Sequence, residues 1–317
     1  MLGLASPKRL RQLGVVGMNK RNVELIARNN PRRLYPLVDN KLKTKLLCAE
    51  NSIAVPRLLG ICKVQRHTGE LAEFLKSHQQ FVIKPAEGSG GKGILVISSK
   101  DGEHFVKPSG QKISFQELKN HTSNIISGLY SLGGKPDVAI IEAMVEFTDD
   151  FEGFTFEGVP DIRVIVYHGY PLMAMMRLST HESDGKANLH QGAVGVGINI
   201  ANGQALRAVQ HDRPIERHPD TGRILSELSV PHWRDLVTLA ARSYEVSGLG
   251  YIGADIVIDK VHGPLLLELN ARPGLAIQVA NGKGLDARVK RAGRQLALKQ
   301  QSLYERVSFS MAHLATL

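Results

Sequence analysis

The feature that most constrains how this chain folds is a pair of short apolar segments separated by a turn. Tyr251 to Asp259 and Leu265 to Asn270 are rich in β-branched and other apolar residues, and Val261-His262-Gly263-Pro264 between them contains typical turn residues. Such runs indicate two β-strands joined as a hairpin. Because side chains alternate along a strand, the hairpin places its polar residues on defined faces.

Three polar side chains are predicted to share one face of this hairpin. With a turn centred just after Val261, Asp255 and Glu268 lie opposite each other, and Asn270 points the same way. Two carboxylates and an amide suit a hard cation such as Mg²⁺ rather than zinc. A longer or shorter turn would shift this register, and a solvated hairpin is the alternative. The apolar run Leu265 to Leu267 argues for burial, and buried carboxylates need a metal or another partner.

A glycine-rich loop follows an earlier predicted strand. Phe81 to Pro85 and Ile94 to Ile97 are β-prone, and Ala86 to Gly93 between them has the spacing G-x-G-x-x-G. In a dinucleotide-binding domain these glycines open a helix, whereas a strand follows here. A P-loop would need Ser or Thr where the chain has Gly93. The pattern is therefore strand, glycine loop, strand.

Such a glycine flap lets backbone N–H groups approach nucleotide phosphates, as in protein kinases, and a lysine on the strand neutralises phosphate charge. Lys84 is the candidate lysine. A flexible Gly-Ser hairpin loop is the alternative interpretation. Further along, Val138 to Val145 is an apolar strand interrupted by Glu142, which predicts a hinge that contacts adenine.

Two arginines are predicted on strands of a second hairpin, around His168-Gly169. Arg163 and Arg177 would ordinarily be surface or edge residues. Near a glycine flap and a carboxylate cluster they indicate a pocket for a polyphosphate or acyl-phosphate, because guanidinium groups match phosphate oxygens. Asn188 is predicted at the start of a following strand. Helices are predicted at Lys20 to Arg28, Asp39 to Asn51, Thr68 to Ser77, Ser114 to Leu132, Pro231 to Val246 and residues 284 to 301.

Length and composition set further limits. The 317 residues can bury a large core and form two or three lobes. No apolar run reaches the roughly 18 residues of a membrane span, and the N-terminus lacks the apolar core of a signal peptide. We therefore predict a cytoplasmic protein that does not bind membranes. Cys48 and Cys62 lack metal-ligand spacing and are interpreted as reduced hydrophobic residues.

The positive charge of the chain is concentrated at its N-terminus. Residues 1 to 45 contain eleven lysines and arginines against Glu24 and Asp39, while the whole chain carries +10. Such an arm could attract an acidic partner through long-range electrostatics. A solvated arm is favoured, because only Tyr35 interleaves the charges as base stacking would require.

The order of these parts resembles the ATP-grasp superfamily: a strand lysine with a glycine flap, the hinge at Glu142, then Asp161-Ile162-Arg163, Asn188-Leu189-His190, Asp255 and Glu268-Leu269-Asn270. Together with Asp39-Asn40-Lys41 and Ala271-x-Pro273-Gly274, these motifs look like those of the α-L-glutamate ligases that modify ribosomal protein or extend glutamate tails. The likeness covers residues 37 to about 282.

The resemblance implies an α+β, ATP-grasp fold in which two α+β lobes clasp the nucleotide. The implied domains are a basic helical arm at 1–36, an N-terminal lobe with the flap at 37–140, a C-terminal lobe with the metal site at 141–300 and a tail at 301–317. The family usually has a larger N-terminal domain before the Lys41 position, and that domain often contributes substrate contacts.

By position, the resemblance also assigns roles to residues. ATP contacts fall on two lysines, the flap, the hinge and an acid near the ribose or phosphates: Lys41, Lys84, Gly88, Ser89, Gly90, Gly91, Lys92, Gly93, Glu142, Ala143, Met144, Val145 and Asp161. Two Mg²⁺ ions, for which Mn²⁺ can substitute, are assigned to Asp255, Glu268 and Asn270. Contacts with the acyl-phosphate and with the acceptor carboxylate are assigned to Arg163, Arg177, Asn188 and Arg272.

The implied reaction is carboxylate–amine ligation. Such enzymes phosphorylate a carboxylate with ATP, and an amine then attacks the acyl-phosphate to give an amide, ADP and phosphate. The expected substrates are an amino acid, for example glutamate, and a peptide or protein acceptor of acidic character; homo-oligomers are compatible with the family, and nucleic acid is not an expected partner. Arg272 replaces a residue that is commonly small in glutamate ligases, which indicates a different acceptor. An ATP-grasp phosphotransferase and a non-catalytic nucleotide-binding protein are the alternatives.

Overall fold

The structure is a computed structural model that describes residues 6–75, 77–88, 90–131 and 133–317. By contacts between residues the chain divides into two compact units. The small unit comprises Asp39–Glu50 and Val55–Glu146, and the large unit comprises the described part of Met1–Val38 with Asn51–Ala54 and Phe147–Leu317. Helices and antiparallel sheets occur in both, so the predicted α+β class is confirmed. The domain boundaries proposed at residues 36, 140 and 300 stay predictions.

The small unit is built on an antiparallel sheet. Its strands are β1 (Leu58–Cys62), β2 (Phe81–Pro85), β3 (Leu95–Ile97), β4 (Ser99–Asp101), β5 (His104–Val106), β6 (Lys112–Ile113) and β7 (Ala139–Glu142). Four of them pair in the order β1-β7-β2-β3, and β4, β5 and β6 form a separate small sheet. The helices are Lys41–Glu50, His67–Leu75 and Phe115–Ile126. The last two bury Leu71, Leu75, Leu118 and Ile125 against Phe81 and Ile83 of β2.

The helix after β6 begins as predicted and ends earlier than predicted. Ser114 and Glu117 form the expected capping box: the Ser114 hydroxyl accepts from the Glu117 backbone N–H at 3.2 Å, and the Glu117 carboxylate accepts from the Ser114 N–H at 2.8 Å. The helix stops at Ile126 because Gly128 adopts a left-handed conformation, with φ of 88°. A Cβ at Gly128 would lie 2.2 Å from the Lys135 carbonyl oxygen, so only glycine fits.

The large unit contains a seven-stranded antiparallel sheet in the order β12-β11-β10-β9-β8-β13-β14. The strands are β8 (Asp161–Tyr167), β9 (Tyr170–Leu178), β10 (Val194–Ile198), β11 (Ala205–Gln210), β12 (Arg213–Ile215), β13 (Tyr251–Asp259) and β14 (Gly263–Asn270). The α-helices are Pro7–Gln12, Met18–Lys20, Trp233–Ser247, Ala276–Asn281, Asp286–Leu298 and Leu303–His313, and Pro36–Asp39 lies where the two units join in sequence. The helix Trp233–Ser247 buries Leu236, Val237 and Ala240 completely and ends at Gly248, as predicted.

The N-terminal segment packs against the large unit and does not extend into solvent as an arm. Its Arg21–Ala27 turn is a π-helix that buries Leu25 and Ile26. Val16 is 1% exposed, and its N–H and carbonyl groups both bond to the amide of Gln278, at 2.8 and 3.0 Å. Apolar anchors between the basic residues thus dock the segment, which the charge pattern alone did not reveal.

The C-terminal segment, about which the sequence indicated little, is also ordered. Its helix Leu303–His313 begins at a capping box formed by Ser302 and Glu305. The Arg306 guanidinium bonds to Glu245 of the helix Trp233–Ser247. Among the described residues, no helix is both long and apolar enough to cross a membrane.

Asn30 provides a test of how the N-terminal segment stabilises the large unit. Its buried amide donates to the carbonyls of Tyr251 and Ala271, at 2.7 and 2.9 Å, and accepts from the Tyr251 N–H at 2.9 Å. We expect Asn30→Ala to lower the free energy of unfolding by about 3 kcal/mol, because buried backbone groups lose their partners. Urea unfolding followed by the fluorescence of Trp233, the single tryptophan of the chain, measures this change in the large unit.

The exposed Asn19→Ala is the matched control and should change the free energy by less than about 0.5 kcal/mol. Equal unfolding midpoints for Asn30→Ala and the wild type would show that the segment does not stabilise the sheet.

Candidate functional site

The β13–β14 hairpin pairs Asp255 with Glu268, as predicted, but by a different route. Asp259 pairs with Gly263 across the three-residue turn 260–262, so the turn is centred on Val261 and not after it. This register alone would place Leu267 opposite Asp255. A β-bulge between the pairs Ile256–Leu266 and Asp255–Glu268 accommodates Leu267 as the additional residue and restores the pairing.

Asp255 lies in a buried network of ion pairs. Arg163, its cross-strand neighbour on β8, donates Nε to Oδ1 at 2.7 Å and Nη2 to Oδ2 at 2.6 Å. Arg177 on β9 donates Nη2 to Asp255 Oδ2 at 2.8 Å and Nε to Asp161 Oδ1 at 2.6 Å. The four side chains are 8–15% exposed. The positive charges of the two arginines therefore balance the negative charges of the two aspartates on this buried face of the sheet.

The arginines control the protonation of Asp255. Burial raises the pKa of Asp255, but Arg163 and Arg177 outweigh burial and hold that pKa well below its usual range. Burial also raises the pKa of Asp161, and here Arg177 only partly opposes the rise. The pKa of Arg177 is raised, because the attraction of the two aspartates exceeds the effect of burial. Asp255 is thus an ionised carboxylate in a water-poor site, as a cation ligand must be.

The donor set on this face fits an oxygen-liganded cation. Asp255 Oδ2 accepts from both guanidinium groups, whereas Oδ1 accepts from Arg163 and keeps a second acceptor position. Glu268 and Asn270 are half-buried on β14, and Asn270 Oδ1 accepts from the Arg272 backbone N–H at 2.8 Å. In the part of the chain that the structure describes, no three His, Cys, Asp or Glu side chains form a metal cluster. Metal binding by Asp255, Glu268 and Asn270 stays a prediction.

A second charged cluster lies in the small unit. Lys84 on β2 contacts Glu142 Oε1 at 2.5 Å, and Lys45 on the helix Lys41–Glu50 contacts Glu142 Oε2 at 2.9 Å. Lys45 also donates to the carbonyl of Pro56. All three charged side chains are less than 10% exposed. The cluster carries a net charge of +1, and a buried excess of positive charge favours an anion nearby.

Burial and charge act against each other in this cluster. Burial raises the pKa of Glu142, but the attraction of Lys84 and Lys45 lowers this pKa by a larger amount, so the net shift is downward. Burial lowers the pKa of Lys45 by more than Glu142 raises it. Both results follow from two cations that share one buried carboxylate.

Lys45 is the residue that the sequence analysis missed. The apolar residues Leu42, Leu46 and Leu47 predict the inner face of this helix and leave its lysines facing solvent. In the structure Leu46 is 48% exposed, while Lys45 and Cys48 are buried. The signal that was available is the spacing i, i+3, i+4, i+7, which joins Lys41, Thr44, Lys45 and Cys48 on one face.

The glycine loop connects paired strands, as predicted, and Lys41 reaches it. β2 and β3 pair antiparallel, with Ile83 opposite Leu95. Lys41 donates its Nζ to the Gly88 carbonyl at 2.6 Å and its backbone N–H to the Ala86 carbonyl at 2.8 Å. Left-handed φ angles occur at Gly90, Gly91 and Gly93, and Lys92 is exposed. Ser89 lies outside the described residues.

The hinge residues follow directly after β7. Glu142 ends the strand with its carboxylate directed at the two lysines, and Ala143, Met144 and Val145 are half-buried without regular secondary structure. The Ala143 N–H bonds to the Arg57 carbonyl at 2.9 Å. Adenine contacts at these residues stay a prediction.

Asn188 and Arg272 have other contacts. The Asn188 side chain accepts from the His190 N–H at 3.0 Å and caps the short 3₁₀-helix Leu189–Gln191. Arg272 is exposed and places its guanidinium 4.9 Å from the centre of the Tyr35 ring. Tyr35 belongs to the N-terminal segment, so a residue thought to interleave charges instead supports the turn after β14.

The sequence is similar to one protein family and to two curated proteins. A family model described as sugar-transfer associated ATP-grasp matches residues 20–294. A probable alpha-L-glutamate ligase of Maridesulfovibrio salexigens is 25% identical over 236 residues, which cover 74% of this chain and 56% of the relative. A protein of the same description from Nitrosococcus oceani is 24% identical over 265 residues, covering 81% of this chain and 66% of the relative. The chain thus spans less than two thirds of the length of these relatives.

Solved structures show more distant similarity. D-alanine–D-alanine ligase from Bacillus anthracis has a TM-score of 0.46 at 11% identity, covering 91% of this chain and 71% of that chain. The ATP-grasp ligase PsnB, complexed with a minimal precursor, has a TM-score of 0.44 at 15% identity, covering 85% and 62%.

The charge balance of the Lys45–Glu142–Lys84 cluster can be tested by removing its acid. We expect Glu142→Gln to lower the free energy of unfolding by about 3 kcal/mol at pH 7, because two buried lysines lose their counter-charge. Lys45→Met should cost less, since it leaves a neutral Lys84–Glu142 pair. Urea unfolding monitored by circular dichroism compares the two variants.

The pH dependence of the stability of Glu142→Gln provides a second test of this cluster. In Glu142→Gln the pKa of Lys45 stays below its unfolded value, so the unfolded chain binds more protons between the two values and stability rises with pH across that window. Stability of Glu142→Gln that stays flat, relative to the wild type, from neutral pH up to about pH 10 would show that folding does not lower the pKa of Lys45 in this variant.

Proposed function

Since this chain belongs to the sugar-transfer associated ATP-grasp family, we propose that it is an ATP- and Mg²⁺-dependent ligase that joins a carboxylate to an amine. The observation that carries the proposal is Asp255, which two buried arginines keep ionised opposite Glu268. The cationic Lys45–Glu142–Lys84 cluster supports it, because the polyphosphate of ATP is an anion that such a cluster attracts.

The proposed nucleotide contacts follow the charge of the small unit. Lys84, Lys41 and the glycine flap bind the phosphates, and residues 142–145 form the adenine contact. Because the Glu142 carboxylate forms ion pairs with two lysines, its backbone rather than its side chain is proposed to face the base. Lys45 joins the set as the residue that orients Glu142 and adds positive charge.

The residues proposed to hold Mg²⁺ are Asp255, Glu268 and Asn270, with Asp161 near the ribose or phosphates. When bound, the metal supplies neutralisation of phosphate charge. Arg163 is proposed to position Asp255 through Nε and Nη2, and Arg177 through Nη2 alone, since its Nε donates to Asp161. Among the described residues no partner takes their Nη1 groups, so these N–H donors are proposed to bind the acyl-phosphate.

The proposed reaction has two steps. The carboxylate oxygen of one substrate attacks the γ-phosphorus of ATP, the bond to the β-phosphate oxygen breaks, and ADP leaves. The amine of the second substrate then attacks the acyl carbon, an amide forms, phosphate leaves, and the amine loses a proton to water or a base. Both steps require neutralised phosphate charge more than a covalent nucleophile on the protein.

The proposed substrates are an amino acid and a peptide or protein carboxylate. Both curated relatives are described as probable alpha-L-glutamate ligases, which supports glutamate as the amino acid. Arg272 is proposed to bind the acceptor carboxylate: it is exposed, it follows the proposed ligand Asn270 by two residues, and Tyr35 supports its guanidinium. Asn188 is proposed to act on the acceptor through its backbone, since its side chain caps a turn.

The metal ligands give the first functional test. We expect Glu268→Gln and Asp255→Asn each to reduce ADP release at least about hundredfold, because charge in the transition state is no longer neutralised. ADP release is measured with ATP and Mg²⁺ over a panel of amino acids with peptide acceptors, followed by mass analysis of the product. Trp233 fluorescence checks that each variant is folded.

Asp235→Asn, an exposed change on the helix Trp233–Ser247, is the matched control and should retain wild-type ADP release. Full activity in both ligand variants would rule out the metal assignment. A phosphorylated product without an amide would instead support a phosphotransferase, and ATP binding without ADP across the panel would support a non-catalytic protein.

Arg272 gives the second functional test. With the substrates found in the screen, we expect Arg272→Gln to raise the KM for the acceptor at least about tenfold and to leave kcat nearly unchanged, because a charge-assisted contact to the acceptor is lost. Steady-state ADP release measures both constants. Arg28→Gln, an exposed arginine of the N-terminal segment, should leave the KM unchanged. An unaltered KM in Arg272→Gln would remove this residue from the acceptor site.

A further inference from the structure

A basic pocket of the large unit shares no residue with the proposed site. Its volume is about 560 Å³, within the range of sites for small ligands. It is formed where the helix Pro7–Gln12 and the following turn meet the helix Asp286–Leu298 and the C-terminal turn. The lining contains the cations Arg11, Lys290, Arg291 and Arg294 and one acidic side chain, Asp286.

The acid is already paired, and most of the cations are not. Asp286 contacts Lys20 at 2.6 Å and Lys290 at 2.7 Å. Arg291 contacts only an aromatic ring, that of Phe309, at 5.8 Å, and no carboxylate of the described residues pairs with it. Arg11 and Arg294 likewise form no ion pair within the described part of the chain. Three exposed guanidinium groups therefore line one pocket, and none of them is ion-paired with a described side chain.

The walls of this pocket are held by backbone hydrogen bonds. Gly284 and Asp286 donate their N–H groups to the carbonyls of Leu13 and Gly14, each at 3.0 Å. The Lys283 side chain also donates its Nζ to the carbonyl of the lining residue Thr316 at 3.0 Å. The arginines are thus presented by a scaffold that is already assembled, which lowers the cost of ordering on binding.

The same pocket accounts for two sequence features that the proposed reaction leaves unused. The basic N-terminal segment supplies Arg11, and the basic helix near the C-terminus supplies Lys290, Arg291 and Arg294. Folding brings these regions, which are almost 280 residues apart, to one cavity. Cations gathered in one cleft attract anions by long-range electrostatics, so their placement here indicates an anionic ligand.

We propose that this pocket binds a compact anion with two or more phosphate groups, either free or as the diphosphate of a larger molecule. Guanidinium groups bind phosphate and carboxylate oxygens alike, but three of them require many acceptor oxygens in a small volume. A diphosphate provides these, whereas a peptide spreads its carboxylates along an extended chain. The proposal is independent of the ligase activity proposed above.

Isothermal titration calorimetry with inorganic pyrophosphate, at low salt and without metal, tests the proposal. We expect pyrophosphate to bind at this pocket with an affinity that falls at least about tenfold in Arg294→Gln and in Arg11→Gln, because each variant loses a charge-assisted hydrogen bond. Arg213→Gln removes an equal charge from the exposed strand β12 and should bind like the wild type. These surface changes leave the fold intact.

Further arms of the experiment separate the alternatives. Binding that survives Arg294→Gln and Arg11→Gln but is lost in Lys84→Gln would assign pyrophosphate to the proposed nucleotide cluster and overturn the pocket. Tighter binding of citrate or hexaglutamate than of pyrophosphate would overturn the phosphate assignment. Absence of binding by the wild type would overturn the proposal, whether or not ADP release is observed.

Discussion

The ionised carboxylate of Asp255, held between two arginines, is the interaction on which the large unit's candidate site depends. It joins strands that are distant in sequence, because Arg163 lies on β8 and Arg177 on β9. Breaking a buried pair by removing one partner costs several kcal/mol, so each member constrains the others. The bulge at Leu267 then determines which β14 residue faces Asp255. A one-residue slip would turn Glu268 and Asn270 to the other face of the sheet.

The buried charges of the small unit do not cancel as those of the large unit do. In the large unit two arginines match two aspartates, whereas in the small unit Lys45 and Lys84 share Glu142 alone. The first arrangement fixes a carboxylate in its ionised form, and the second leaves positive charge uncompensated. A protein that binds a polyphosphate with a metal needs both kinds of group, which is why the two clusters together support the proposed reaction more than either does alone.

The N-terminal segment changes how the basic region of the chain is understood. Its residues Asn30 and Tyr35 contact the turn that follows β14, at Ala271 and Arg272, and Arg21 donates to the Pro273 carbonyl at 3.3 Å. The segment therefore shapes the surroundings of Arg272, the residue proposed to bind the acceptor carboxylate. Its first helix meanwhile faces the basic helix Asp286–Leu298. The basic residues that the sequence analysis interpreted as a solvated arm therefore lie at two surfaces of the folded protein, one around Arg272 and one at the basic pocket.

Local patterns in the sequence determined the elements and several of their details. Alternation and turn residues were sufficient for the hairpin, the run of glycines between β-prone segments for the strand–loop–strand unit, and Ser114 with Glu117 for a helix start. The Asp255–Glu268 pairing also required the bulge at Leu267. The order of the motifs also identified the family. These signals are readable because they arise between residues close together in the chain.

Only the tertiary structure decided which charges become partners. The helix face that buries Lys45, the joint hold of Arg163 and Arg177 on Asp255, and the meeting of Tyr35 with Arg272 all depend on the order of strands and on docking between distant segments. Spacing can place charged residues on one face of a helix, but it does not show that this face is buried, because the cost of burying a charge is decided by a partner that lies elsewhere in the sequence. The same long-range packing placed two basic regions, the N-terminal segment and the helix Asp286–Leu298, around one pocket. Nothing in the sequence indicates that these two regions meet.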